Sequence, residues 1–329
     1  MLESIQNILS LITTFEKIHF YCVDPGAFAV LNPVYEAKKN DRVDIRWILD
    51  GWCRNNKKEI SFIELSTFEN SYRCKLNKDV CLVLGSQTSF KSTQDVIGYC
   101  RENGIYSIFL FDHWGNYLSH FYDYEKSKLY LPNKICVIDD VSKKSLVSVL
   151  TPLLEDKNYI NNIVVVGHPG VEKSVADIHN ISKKEKVSIR NKIGAGNKKV
   201  ILFLSEPIEK DLDGKSGLGY TEYSILTYFF NNFALYNAKV LIKPHPRQDI
   251  KALRSFLANE INHMEIDYEL AEGLSLEEFI AVSDEVFGIT TMALVIALKA
   301  GKKIKSIQVG RNENANKTLD KIFAGNLVI

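Results

Sequence analysis

Short apolar runs alternate with amphipathic stretches from one end of this chain to the other. The runs at 18–23, 43–49, 80–84, 107–111, 134–138 and 162–166 are often β-branched and apolar on both faces. A strand without a polar face must be covered on both sides, as in a parallel sheet packed between helices. Helical patterns, such as those at 93–103 and 143–154, lie between several of these runs. This rhythm predicts βαβ units with right-handed crossovers and a doubly wound α/β sheet. The charged, poorly apolar segment 182–198 interrupts it and contains Gly194-Ala195-Gly196. The rhythm then restarts, with strands expected at 199–204, 239–243, 264–268, 285–288 and 303–308. Helices are expected at 222–236, 250–260, 276–283, 292–300 and 316–323. We therefore expect a domain over 1–182, a connection over 183–198 and a second domain over 199–329. Two Rossmann-like halves facing across a cleft are the economical architecture.

Composition narrows the function classes. With 329 residues the chain is long enough for two cores. It is 46% hydrophobic and 25% charged, with net charge +1. That balance provides no bulk basic field for nucleic acid. No apolar run approaches the ~20 residues of a membrane span. The start, Met1-Leu2-Glu3-Ser4, lacks the basic opening of a signal peptide, so a cytoplasmic location is expected. The amphipathic stretch 2–18 reads as a core-packing helix, with peripheral membrane association as the rival. Six cysteines, at 22, 53, 74, 81, 100 and 136, show no zinc spacing. Cys22, Cys81 and Cys136 read as buried thiols. P-loop, dinucleotide-fingerprint and nucleophile-elbow motifs are all absent.

The chemistry-bearing motifs fall where strands should end. The run 238–242 stops at Lys243-Pro244-His245-Pro246-Arg247. Each proline fixes its own φ and favours extended geometry in the residue before it. Lys243, His245 and Arg247 are thereby held at a rigid strand end, where open α/β sheets bind ligands. Their charge suggests a phosphate. As an imidazolium, His245 can neutralise a departing phosphate. Gly288-Ile289-Thr290-Thr291 opens the next-but-one helix, with Thr290 a candidate N-cap and the free N–H groups suited to an anion. Ser205-Glu206-Pro207 begins an acidic, glycine-rich loop that continues through Asp211, Asp213 and Gly214 to Glu222. Asp213 or Glu222 is a candidate general base, while Thr221 or Ser216 can cap the helix that follows. In the first half, Asp50, the stretch Gly85-Ser86-Gln87-Thr88-Ser89, Asp112-His113-Trp114 and His168 follow strands and are candidate acceptor contacts. Asp50 and Asp112 are rival bases there.

Lys243-Pro244-His245-Pro246 together with Thr290-Thr291 resembles the His-Pro and Ser/Thr-Ser/Thr motifs of bacterial sialyltransferases. The same pair occurs in polysialyltransferases and capsule Kdo transferases. The resemblance covers roughly 199–308 and implies a GT-B fold. It implies inverting transfer of a sialic acid-like or Kdo-like sugar from a CMP-linked donor to a glycan or glycolipid of the bacterial surface. His245, Thr290 and Thr291 would bind the donor phosphate, and Glu277 or Glu278 the ribose. The donor is then a substrate; no cofactor and no metal are expected, and the enzyme would work at the inner face of the cytoplasmic membrane. The family's Asp/Glu-Asp/Glu-Gly base motif has only partial matches, at Asp211-Leu212-Asp213-Gly214 and Leu49-Asp50-Gly51. Other readings of the same residues are a CDP-glycerol-type or UDP-sugar transferase, a sugar-nucleotide epimerase, and a GT-B binding module without catalysis.

Overall fold

Side chains along a strand alternate between faces, so a run apolar at every position builds two cores at once. The computed structural model, which describes residues 1–41, 43–73, 77–87, 89–209, 217–315 and 317–329, bears this out in the central strands. The chain divides into two compact units, Met1–Lys173 and Ser174–Ile329. The first contains β1 (Lys17–Cys22), β2 (Asp44–Leu49), β3 (Phe62–Ile63), β4 (Val80–Gly85) and β5 (Tyr106–Leu110). A small hairpin of β6 (Tyr122–Asp123) and β7 (Lys128–Leu129) follows, then β8 (Lys134–Val137) and β9 (Ile163–Val165). The main sheet runs β3-β2-β1-β4-β5-β8-β9, with all pairs parallel. Ile18, Phe20, Cys81, Val83 and Ile108 pack into the core on one face. Tyr21, Leu82, Leu84 and Phe109 pack into the core on the other.

The second unit contains β10 (Lys199–Leu204), β11 (Ala238–Lys243), β12 (Tyr268–Leu270), β13 (Glu285–Gly288), β14 (Lys303–Ile307) and β15 (Leu327–Val328). Their order is β12-β11-β10-β13-β14-β15, again parallel throughout. Ile201, Phe203, Val240, Ile242 and Phe287 join one core around Phe229. Val200, Leu202, Leu241 and Val286 alternate with them and are also buried. Each sheet therefore has the Rossmann order, with a topological switch between β1 and β4 and between β10 and β13. Loops at the carboxyl ends of those strands are where such sheets bind ligands.

Several local expectations change. The stretch 183–198 is not an open connection: Lys183–Lys192 is a helix within the second unit, started by a capping box of Ser182 and Glu185. The strand expected at 264–268 begins only at Tyr268. Asn262–Met264 is a 3₁₀ turn that ends at Glu265 with φ 53°, so the chain reverses before it can pair with β11. The first helix is Glu3–Ile12, shorter than the amphipathic stretch. Its Ile8 and Ile12 are inside the first core, so that apolar face is taken up by the protein. Among the described residues no helix is long and apolar enough to cross a membrane. Cys22, Cys53, Cys81, Cys100 and Cys136 are free and buried, and Cys74 lies outside the described residues.

Candidate functional site

The Pro-His-Pro turn leaves β11 and is fixed by a residue that no motif flagged, Gln248. Its Nε2 donates to Ser205 Oγ at 2.9 Å, and its Oε1 accepts from the His245 N–H at 3.3 Å. The Gln248 N–H donates to the His245 carbonyl at 2.9 Å. One buried amide thus joins the end of β10 to the turn after β11. His245 Nδ1 accepts from the Arg247 N–H at 3.1 Å, which leaves the ring proton on Nε2. Burial, with a smaller contribution from Arg247, pushes the His245 pKa down to about 4. The imidazole is therefore neutral at physiological pH, contrary to the expected imidazolium, because the surroundings disfavour its charge before any anion arrives. What it offers is an Nε2–H donor. Lys243 Nζ donates to the Ala271 carbonyl at 3.2 Å and lies over the Phe279 ring, and burial lowers its pKa.

On the other side of β10, Thr291 rather than Thr290 caps the helix Met292–Lys299. Its Oγ1 accepts from the Ala293 N–H at 3.3 Å. Thr290 lies one residue too early for that role and turns to Glu206. The Thr290 N–H donates to Glu206 Oε1 and the Thr290 hydroxyl to Glu206 Oε2, both at 2.9 Å. The chain's own carboxylate thus lies at the start of a helix, where the dipole favours an anion. Beneath it, buried Ser306 donates to the Ile289 carbonyl at 2.5 Å, and Gln308 Nε2 supports Ser306 Oγ at 3.0 Å. Ser205, Glu206, His245 and Thr290 are brought to three adjacent strand ends, those of β10, β11 and β13.

The remaining second-unit candidates are placed differently. Asp213 lies outside the described residues. Glu222 is only 3% exposed, and its Oε2 accepts from the Glu209 N–H at 2.9 Å. This is the placement of a carboxylate that pins the chain after β10, not of one presented to a substrate hydroxyl. Thr221 caps the helix Glu222–Asn232 reciprocally with Ser224. Gly219, at φ +91°, passes so close to the loop after β14 that a Cβ would lie 2.1 Å from the Gly310 carbonyl oxygen. Glu277 accepts from the Ser174 hydroxyl at 2.6 Å, and Glu278 completes a capping box with Ser275.

In the first unit the structure sorts the candidates further. Asp50 caps the helix Gly51–Asn56 through the Gly51 N–H at 2.8 Å. Trp114 is 5% exposed and its Nε1 donates to Asp139 Oδ2 at 2.8 Å, so it anchors the loop and presents no ring to a sugar. His168 Nδ1 accepts from the Val171 N–H at 3.1 Å, and its Nε2 donates to the Asp112 carbonyl at 2.9 Å. Burial lowers the His168 pKa, and the ring serves to hold the Asp112 backbone. Asp112 and His113 differ from these: Asp112 Oδ1 and His113 Nδ1 are buried and have no hydrogen-bond partner among the described residues.

No protein-family model and no curated protein matches the sequence. Solved structures are similar in fold. The UDP-GlcNAc 2-epimerase from Neisseria meningitidis, bound to UDP-GlcNAc, aligns over 95% of this chain and 86% of its own, with 11% identity and a TM-score of 0.60. The UDP-N-acetylglucosamine 2-epimerase from Rickettsia bellii aligns over 96% and 84%, with 11% identity and a TM-score of 0.60. A glycosyltransferase from Rickettsia africae aligns over 92% and 82%, with 10% identity and a TM-score of 0.53. At such identities the likeness is one of fold. The chain is an α/β protein of GT-B-like type, with two Rossmann-like units.

Proposed function

We propose that this chain is an inverting glycosyltransferase that uses a nucleotide-activated sugar, CMP-linked by preference, and transfers it to a glycan hydroxyl. The observation that carries the reading is the meeting of the His245 Nε2–H donor, Ser205, and the Thr290-Thr291 helix start on the adjacent ends of β10, β11 and β13. The acceptor oxygen attacks the anomeric carbon as the bond to the donor phosphate breaks, and the electron pair leaves with the phosphate oxygen. The charge that develops there is met by the neutral His245 N–H and the threonine hydroxyls. One such donor is typically worth about 10²–10³ in rate. Glu206 must release Thr290 for a phosphate to take its place. The acceptor proton goes to a carboxylate base, for which Asp112 and Asp213 remain the candidates, since Asp50 is occupied as a cap and Glu222 is bonded to backbone.

The preference for CMP over other nucleotides rests on the resemblance of the paired motifs to the sialyltransferase and Kdo-transferase group. A second reading, a UDP-sugar enzyme of transferase or epimerase type, is supported by the fold shared with proteins named as UDP-GlcNAc 2-epimerases. Calorimetric titration with CMP, CDP, UDP and UMP, repeated with His245→Ala, separates them. Tight CMP binding that is lost in the variant is the expected result, to be followed by turnover of sialic and Kdo donors. Preference for UDP moves the chain to the second reading. Binding of none leaves a GT-B module without catalysis.

A further inference from the structure

The ladder between β4 and β5 runs one residue past the strands. The Ser86 N–H donates to the Leu110 carbonyl at 3.1 Å, and Ser86 Oγ accepts from the Asp112 N–H at 3.2 Å. Continued by one step, this register sets Gln87 level with Asp112. Gln87 is 3% exposed, yet among the described residues neither its Oε1 nor its Nε2 has a partner. Asp112 Oδ1 and His113 Nδ1, 3.8 Å apart, are in the same condition. Asp112 is held close to the start of the helix Pro25–Lys38, where a Cβ on Gly26 would lie 1.9 Å from Asp112 Oδ2. A buried amide without partners is destabilising, whereas an apolar side chain of similar shape carries no such penalty. Retaining Gln87 here makes sense if its partner is not part of the chain.

We propose that this edge of the first sheet binds a neutral, polyhydroxylated ligand, a saccharide, and that Gln87 is the side chain that reads its hydroxyls. A carboxylate only accepts, an amide both donates and accepts, and an imidazole adds a ring nitrogen. Hydroxyl groups, which do both, complement that set. The carboxylate of Asp112 disfavours an anionic sugar. The proposal rests on the transferase reading only in taking this saccharide to be the acceptor.

The test is saturation-transfer NMR on the full chain with lactose, maltose and N-acetylglucosamine, and with N-acetylneuraminic acid as the charged comparator. At least one neutral sugar should bind, and bind more tightly than the charged one. Gln87→Leu should weaken that binding tenfold or more while Tm is unchanged or rises by about 2–4 °C, because an unsatisfied amide has been removed. Absence of binding by every neutral sugar, equal binding of the acid, or unchanged binding in the variant would each overturn the proposal. A lower Tm in Gln87→Leu would do the same, by making the amide structural. Nucleotide titration of the wild-type chain is independent: saccharide binding without nucleotide binding sinks the transferase and leaves this site standing.

Discussion

In the second unit, Ser205, Gln248 and His245 form one run of hydrogen bonds, and Glu206 closes on Thr290. In the first unit, the corresponding edge leaves Gln87, Asp112 and His113 with buried polar atoms that have no hydrogen-bond partner among the described residues. Both sheets have the same winding order. Among the described residues, every buried side-chain polar atom without a partner belongs to the first unit. The same scaffold can thus finish its ligand edge in two ways. One edge is ordered in advance, with a carboxylate of its own on the helix start. The other holds its polar groups in place by backbone contacts and leaves their hydrogen-bonding capacity unspent.

The largest expected effect is acid lability, which weighs more on the first unit, although His245 in the second, also lowered to about 4, contributes as His19 does. Burial lowers the pKa of His19 to about 4 and of His120 to about 3, both in the first unit. Asp44 offsets part of the shift at His19 while Arg46 and Lys17 add to it, and His113 adds to that at His120. A depressed folded pKa means that the unfolded chain takes up the proton first. The stability is therefore intact above pH 6.5 and is lost as pH falls from 6.5 toward 4, by about 3 kcal/mol for His19 alone. Urea melts at pH 7.0, 5.5 and 4.5 should show it, and His120→Phe should flatten the curve. Equal slopes in wild type and variant would mean that this imidazole is not the titrating group.

In the second unit, His245→Ala should lower turnover by ~10²-fold or more with the fold intact. Near-normal turnover would remove His245 from the chemistry. Gln248→Ala should act on both stability and function. It strips partners from Ser205 and the His245 N–H, at a cost of about 2 kcal/mol, and nucleotide affinity should fall with it; unchanged affinity would mean that the turn holds its shape without the amide. The smallest effect is expected from Glu206→Gln. It keeps an acceptor for Thr290 but removes the competing charge, so CMP should bind about threefold to tenfold more tightly. Weaker binding would show that Glu206 contacts the ligand itself.

The long strands were legible because β4 and β10 are apolar at nearly every position. β3 and β15 were not, because two residues carry no period and their pairing is decided by the neighbouring strand. Lys243-Pro244-His245-Pro246 announced a rigid strand end correctly, but the sequence could not tell that burial would keep His245 neutral. The Thr290-Thr291 pair was visible as a helix start, yet the roles within it were decided by Glu206, 84 residues away. Trp114 and Glu222 looked functional by type and are committed to structure by Asp139 and Glu209. Gln87 was flagged only as one residue of a stretch that follows a strand, and Gln248 gave no signal, since glutamine belongs to no motif and each stands out only through its burial.

Glu206 on Thr290 turns binding at that helix start into an exchange. A phosphate that arrives there replaces one anion with another, so the charge on those donors changes little. Screening by salt acts on such changes in charge. The affinity of this edge for a nucleotide should therefore fall only slightly between dilute buffer and physiological ionic strength, whereas a site that simply fills with an anion would lose much of its hold.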